Sequence, residues 1–156
     1  MDEKTVPKRV QTRMRILNYE KELKQLLRAQ LEKVEPGLIA DDGGRERQVA
    51  SGKIDITARD ANGHYVVIEL KVGPCPAGAI EQVLGYSSDL EEETGIPCRA
   101  VLVASEFTLR QRSAAKRAHE MHLVTYQVEQ MDFAGSPPPP DKSQMRPLAP
   151  HQAPPR

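Results

Sequence analysis

The chain has 156 residues, of which 38% are hydrophobic and 28% are charged, a composition that suits one compact domain with a single core. Lys plus Arg and Asp plus Glu each number 22, so the net charge is zero and gives no whole-chain argument for a polyanionic partner. No apolar run approaches the roughly 18 residues of a membrane-spanning helix, and the first residues lack the profile of a signal peptide, so we expect a soluble, cytoplasmic protein.

The first predicted helix follows a basic segment. Residues 1–16 form this N-terminal arm, whose five basic side chains either contact phosphate or keep the terminus hydrated. A helical period then runs from Tyr19 to Val34 and predicts an amphipathic helix that ends at Pro36-Gly37. On a helical wheel Glu20 falls inside the apolar arc, where a carboxylate must be paired, neutralised or bound to a metal. Glu20 is therefore a candidate functional residue.

Three strand-like segments come next, at residues 45–50, 53–59 and 65–71. The last two predict a hairpin, because Ala61-Asn62-Gly63 suits a three-residue loop in which Gly63 adopts the left-handed conformation. This loop sets a register that places Asp55 opposite Glu69 on one face of the hairpin. That face also carries Lys53, Thr57, Val67 and Lys71. The opposite face is predicted to be continuous core and consists of Ile54, Ile56, Ala58, Val66, Ile68 and Leu70.

The next part of the chain predicts two more helices and two more strands. After a break at Pro74-Cys75-Pro76, residues 77–92 predict a helix that carries Gln82 and Tyr86 on a face of their own. A buried strand at 100–104, a basic helix over about 107–120 and a strand at 123–128 follow. The order αβββαβαβ predicts an α/β domain with a mixed sheet flanked by helices. Cys75 and Cys98 are too far apart for a CxxC pair, so we expect buried thiols rather than a zinc site or a disulfide framework.

The end of the chain has a different composition. Residues 131–156 contain eight of the thirteen prolines and few apolar side chains, which predicts a disordered proline-rich tail with polyproline II character. Such a tail acts as a spacer or docks a protein partner. Residues 17–130 are left as the folded domain.

Asp55 and the run Glu69-Leu70-Lys71 carry the candidate chemistry. Two carboxylates that face each other across a hairpin repel unless a cation lies between them, and hard oxygen donors suit Mg²⁺ or Mn²⁺. Lys71, on the same face as Glu69, can orient an attacking water or stabilise the charge that develops on a phosphorane. Glu20 would supply a further carboxylate or bind a metal-ligated water. Together these groups are the parts required to hydrolyse a phosphodiester.

In this order, Glu20 on a helix, Gly52-Lys53-Ile54-Asp55 and Glu69-Leu70-Lys71 resemble the PD-(D/E)XK nuclease superfamily. More narrowly, roughly residues 18 to 128 resemble the C-terminal catalytic domain of the NucS/EndoMS endonucleases. The similar runs are Glu20-Lys21-Glu22-Leu23, Val34-Glu35-Pro36-Gly37-Leu38 and Val66-Val67-Ile68-Glu69-Leu70-Lys71. Gln82, with Tyr86 a turn later, matches the glutamine that such nucleases carry near the metal site and the scissile phosphate. Ile54 stands in place of the proline in the superfamily's name.

The resemblance implies a restriction-endonuclease-like αβββαβ core over residues 17–130 and a Mg²⁺-dependent DNA endonuclease. It implies that Asp55 and Glu69 bind the metal, with the backbone carbonyl of Leu70 as a third ligand. It also implies that Lys71 positions the water, that Gln82 orients the site, and that Glu20 supports the metal shell directly or through water. A homodimer is an expectation from the family alone.

Other interpretations of the same residues stay open. Asp55 and Glu69 could belong to a solvated charged face, paired with Lys53 and Lys71. Glu46 either joins the acids or pairs with a neighbouring arginine. As a whole, the chain could be a catalytically silent module of the same fold that binds nucleic acid or recruits a partner. The candidate nucleic-acid contacts are Lys53, Tyr86, Arg110 and Arg112, which could equally be structural or solvated side chains.

Overall fold

The computed structural model describes residues 8–127 and 146–147, in which helices cover both faces of a mixed β-sheet. The helices are α1 (Lys8–Ala29), α2 (Leu31–Val34), α3 (Ala79–Thr94) and α4 (Leu109–Ala115). The strands are β1 (Ile39–Ala40), β2 (Arg47–Val49), β3 (Gly52–Ile54), β4 (Ile56–Arg59), β5 (Tyr65–Leu70), β6 (Cys98–Ala104), β7 (Met121–Gln127) and β8 (Arg146–Pro147). Within these described ranges, no helix has the length and apolar character that spanning a bilayer requires.

The sheet combines antiparallel and parallel strands in the order β1-β4-β5-β6-β7-β8. Strands β4 and β5 form the predicted antiparallel hairpin, with Thr57 opposite Val67 as the loop register requires. Strands β5, β6 and β7 run parallel, and α3 and α4 provide the connections that parallel neighbours need. The predicted mixed sheet flanked by helices is therefore confirmed. Strands β2 and β3 form a separate two-stranded hairpin.

Two hydrophobic clusters, one on each side of the sheet, form the core. On one side, Leu23 and Leu27 of α1 pack with residues such as Ile68 of β5. On the other side, Val83 of α3 packs with Val67 of β5 and its neighbours. Every side chain of β5 is buried, because alternate residues point into the two clusters. Strand β5 is thus covered on both faces, so Glu69, its single acid, is buried.

The first helix is longer than the apolar period predicts. It begins at Lys8, runs through the second half of the basic arm, and ends at Ala29, after which α2 completes the last turn of the predicted segment. The extra turns carry exposed side chains, including Val10, Met14 and Leu17. The apolar side chains that the structure describes in these turns are thus exposed and not packed against the sheet.

The predicted strand over 53–59 is wrong in one respect, because it is broken at Asp55. Strand β3 ends at Ile54 and pairs with β2, whereas β4 starts at Ile56 and pairs with β5. The backbone carbonyl of Asp55 accepts a hydrogen bond from Arg28 of α1, and its carboxylate accepts one from the Leu70 N–H. These hydrogen bonds take the place of the backbone hydrogen bonds that a continuous strand would form at Asp55. The break also changes the side to which Ile54 points, so that Ile54 packs in the α3 cluster rather than continuing the core on the α1 side.

Towards the C-terminus the differences are at element ends. Helix α4 stops at Ala115, short of the predicted 107–120, and begins in a capping box between Thr108 and Gln111. Strand β8 pairs with Tyr126 and Gln127 of β7, and it lies within the segment for which we predicted a disordered tail. The rest of that segment, like residues 1–7, lies outside the described residues.

Candidate active site

Asp55 and Glu69 lie against each other where the β3–β4 break meets the end of β5. The Asp55 N–H donates to Glu69 Oε1 at 2.9 Å, and the Leu70 N–H donates to Asp55 Oδ2 at 3.0 Å. Asp55 is 9% exposed and Glu69 is 4% exposed. The structure therefore brings the two predicted acids together and rules out the interpretation of a solvated charged face, since neither carboxylate is free in water.

The environment of Glu69 disfavours its charge. Burial, followed by the negative charge of Asp55, raises the pKa of Glu69 from 4.5 to about 8. The Asp55 N–H and the Lys71 ammonium, whose Nζ lies 4.0 Å from Glu69 Oε2, act in the opposite direction without cancelling the shift. A buried acid pair with this balance of charges is one that a bound cation would relieve.

A row of polar side chains extends from Glu69 to helix α3. The Lys71 ammonium donates to Gln82 Oε1 at 2.7 Å, and Gln82 Nε2 donates to the Tyr86 hydroxyl at 3.0 Å. Tyr86 is 6% exposed, so it lies in the core with its hydroxyl facing this row. A Cβ atom at Gly52 would lie 2.6 Å from that hydroxyl, so β3 reaches α3 only because position 52 carries no side chain. The predicted shared face of Gln82 and Tyr86 is confirmed, and the structure adds Lys71 to it.

Lys24 is a site residue that sequence reasoning missed. Its Nζ lies 2.9 Å from Asp55 Oδ1. The same atom lies 3.5 Å from Glu20 Oε1 and 3.7 Å from Glu46 Oε1. Burial lowers the pKa of Lys24, but its hydrogen bond to Asp55 and the nearby acids outweigh burial and raise it overall, so the side chain is an ammonium. The signal in the sequence was its position one helical turn after Glu20, on the same face.

This arrangement changes the predicted position of Glu20. Its side chain is 37% exposed rather than interior, and it contacts the site through Lys24. Glu46 reaches the same ammonium, which places it among the acids instead of beside an arginine. Glu20, Glu46 and Asp55 thus share Lys24, and we call these four residues the Lys24 cluster.

A second missed residue, Arg28, fixes the backbone at Asp55. Its guanidinium forms a two-pronged ion pair with Asp42, at 2.8 and 3.0 Å, and also donates to the Asp55 carbonyl at 2.8 Å. The Asp42 side chain is 1% exposed and accepts the Thr57 N–H at 2.9 Å. Burial works to raise the pKa of Asp42, but Arg28 and the N–H groups of Thr57 and Gly44 lower it overall. The pair ties α1 to the start of β4.

The acid pair has the donor chemistry that a hard divalent cation requires. Mg²⁺ is commonly bound by one or two carboxylates and completes its shell with other oxygens and water. Among the described residues, no three His, Cys, Asp or Glu side chains form a group that could hold a metal ion. A cation at Asp55 and Glu69 would therefore need a backbone or water oxygen as well, and the Leu70 carbonyl stays a prediction for that position.

The other predicted contacts lie outside this row. Lys53 is exposed on β3, and Arg110 is exposed on α4, where it lines a cavity of about 400 Å³ between α3 and α4. Arg112 Nε lies 3.4 Å from the Phe107 carbonyl oxygen, so this side chain has a local partner. Their contact with nucleic acid stays a prediction. Both cysteines are buried free thiols, as expected.

The mixed sheet and its site, two buried acids followed by a lysine, give the chain the character of a nuclease-family domain. It belongs to the family of the endonuclease NucS C-terminal domain, which residues 19–133 match. The family resemblance drawn from the sequence motifs is thereby confirmed.

Individual relatives agree with this assignment. Endonuclease NucS of Thermococcus kodakarensis is 36% identical over 101 residues, which cover 65% of this chain and 38% of that protein. The NucS of Pyrococcus horikoshii is 39% identical over 64 residues, or 41% of this chain and 25% of that protein.

Solved structures are similar over a comparable part of the chain. A complex of EndoMS with dsDNA superposes with a TM-score of 0.58 at 31% identity and covers 68% of this chain and 44% of that one. A repair endonuclease from Pyrococcus abyssi gives 0.60 at 27% identity, with 67% and 45% covered. The chain therefore spans less than half the length of these relatives.

Proposed function

We propose that the chain is a metal-dependent DNA endonuclease that hydrolyses phosphodiester bonds. The observation that carries this proposal is the buried Asp55–Glu69 pair with Lys71 beside it, because a binding surface for phosphates has no use for two adjacent acids. The NucS family membership supports nuclease chemistry. The similar EndoMS chain, which was solved with dsDNA, supports DNA as the substrate.

In this proposal Asp55 and Glu69, with the backbone carbonyl of Leu70, hold Mg²⁺ or Mn²⁺. The ion would supply Lewis-acid stabilisation of the phosphate and a more acidic water. Lys71 holds and orients the attacking water near the acids, and its positive charge favours the charge that builds up on the phosphoryl oxygens. Gln82 fixes Lys71 through the 2.7 Å hydrogen bond. Glu20 acts on the site indirectly, through its ion pair with Lys24.

Cleavage of a labelled DNA panel tests the proposal. The panel contains duplex, mismatched duplex, single strand, flap and four-way junction, each with Mg²⁺, Mn²⁺ or EDTA. Wild type is compared with Asp55→Asn and with Glu92→Gln, an exposed acid on α3 that serves as the matched control. We expect metal-dependent cleavage by wild type and Glu92→Gln and its loss in Asp55→Asn.

The opposite result has a clear meaning. If folded wild type cleaves no substrate, yet binds DNA in a salt-dependent way that ignores Asp55→Asn and metal, the chain is a binding module and the nuclease proposal fails. A homodimer remains part of the proposal, because cutting both strands of a duplex in one encounter takes two sites. Measurement of the molar mass in solution tests for the homodimer.

A further inference from the structure

The Lys24 cluster places a cation of the protein's own at one of the proposed metal ligands. Asp55 has two carboxylate oxygens, and Oδ2 accepts the Leu70 N–H at 3.0 Å. The other oxygen, Oδ1, is 2.9 Å from Lys24 Nζ. A divalent ion that binds Asp55 through Oδ1 would therefore meet the positive charge of the Lys24 ammonium at the same oxygen.

We infer that Lys24 is an internal competitor of the divalent metal at Asp55, so that this side chain sets the metal affinity of the site. The inference rests on the proposed function, because it takes Asp55 as a metal ligand. Lys24 is here a positioning residue: it acts on the metal site through Asp55 and is assigned no contact with the substrate.

The cluster also provides a second position for the displaced ammonium. Glu20 and Glu46 lie 3.5 and 3.7 Å from Lys24 Nζ, at the outer limit of an ion pair. When a metal binds Asp55, these two acids can keep Lys24 charged and paired without any change in the backbone of α1. The exchange then leaves no uncompensated charge in a half-buried region, which would otherwise oppose metal binding. Only the 2.9 Å contact with Asp55 has to break.

Calorimetric titration with Mn²⁺ alone, without DNA, measures the competition. Lys24→Met removes the ammonium and keeps a long side chain with good helix propensity. We expect Lys24→Met to bind Mn²⁺ about tenfold more tightly than wild type, which is the effect of losing one moderate ion pair to the metal ligand. Lys21→Met, an exposed lysine on the same helix, is the matched control and should bind like wild type.

A double-mutant cycle shows whether the effect passes through Asp55. In an Asp55→Asn background the ligand that Lys24 contests is gone, so Lys24→Met should no longer change Mn²⁺ affinity. Thermal melting gives a second measurement. In EDTA, Lys24→Met should melt below wild type because three acids lose their partner, and saturating Mn²⁺ should close or reverse the difference. A purely structural lysine would lower the melting temperature equally in both conditions.

The outcomes separate this inference from the proposed function. If wild type and Lys24→Met bind Mn²⁺ with the same affinity, and Asp55→Asn weakens both, the metal site stands and the competitor is refuted. If neither protein binds Mn²⁺, both ideas fail. If Lys24→Met binds the ion and wild type does not, competition is supported and is strong enough to suppress loading, which refutes a metal-dependent nuclease in the wild-type chain.

Discussion

At the scale of single residues, the site depends on a carboxylic acid that does not ionise at its ordinary pH. Glu69 is the only acid on β5, a strand whose side chains are all buried, and the negative charge of Asp55 acts on it. Without a cation, the cheapest arrangement is to retain a proton on Glu69, the more buried member of the pair. Proton binding and cation binding are therefore alternatives at this position.

This alternative predicts how stability varies with pH in EDTA. Between 4.5 and about 8 the folded protein holds a proton on Glu69 that the unfolded chain releases. The free energy of unfolding should therefore fall as the pH rises through that window. Glu69→Gln keeps an oxygen for the Asp55 N–H but has no proton to lose. Its free energy of unfolding, relative to that of wild type, should therefore rise with pH. Thermal melts at about pH 5 and about pH 8 measure it.

Glu92→Gln is the control for this experiment, since Glu92 is exposed. Its melting temperature should follow that of wild type across the same pH range. If Glu69→Gln and wild type keep a constant difference at every pH, Glu69 ionises in the folded protein as it does in the unfolded one, and the account of the acid pair is wrong.

At the scale of elements, two contacts between helices and strands hold the acids in place. Helix α1 does so through Arg28, which binds Asp42 and the Asp55 carbonyl. Helix α3 does so through Tyr86, whose ring packs directly on the backbone of β3 at Gly52. Each contact can be removed by one substitution, and each has a neighbouring residue that serves as control.

The first contact predicts unequal effects at two adjacent aspartates. Asp42→Ala leaves the Arg28 guanidinium without its acid and the Thr57 N–H without its acceptor, and should lower the free energy of unfolding by about 3 kcal/mol. Asp41→Ala removes only an exposed partner of Arg59 and should have little effect. Urea denaturation of the two variants checks the difference. Equal losses would mean that the buried ion pair does not hold α1 to β4.

The second contact predicts opposite signs at two glycines. Gly52→Ala would put Cβ 2.6 Å from the Tyr86 hydroxyl, and such overpacking costs about 1–3 kcal/mol of stability. Gly85, inside α3, meets only Ser51 Oγ at 3.8 Å, so Gly85→Ala should stabilise the helix by up to about 1 kcal/mol. The melting temperatures of the two variants show whether each substitution stabilises or destabilises the protein. Gly52→Ala should also reduce cleavage, since it moves Tyr86 and with it the Gln82–Lys71 hydrogen bond. A Gly52→Ala protein as stable as wild type would contradict the close packing.

At the scale of the whole molecule, local patterns were enough to predict the sheet and the acid pair. The loop at Gly63 and the alternation of β4 and β5 fixed the hairpin register, which put Asp55 beside Glu69. The four-residue spacing of Gln82 and Tyr86 placed both on one face of α3, and the structure shows them hydrogen-bonded. These relations depend on strand and helix periodicity, which the sequence states directly.

The remaining parts of the site depend on contacts between distant segments. The break at Asp55 follows from Arg28, which lies 27 positions earlier in the chain. Lys24 lies one helical turn after Glu20, but that spacing does not show that Lys24 and Arg28 reach Asp55, which the packing of α1 on the sheet reveals. Glu20 was placed too deep for the same reason, because a helical wheel gives a direction but not a depth.

Two backbone amides of the site report on its state. The Asp55 N–H donates to the Glu69 carboxylate, and the Leu70 N–H donates to the Asp55 carboxylate. Each carboxylate therefore affects the chemical shift of a different amide proton. In a ¹⁵N–¹H spectrum, deprotonation of Glu69 should shift the Asp55 resonance first, whereas exchange of Lys24 for a metal at Asp55 should shift that of Leu70. The reciprocal hydrogen bonds therefore make the loading of each carboxylate visible separately, without any added probe.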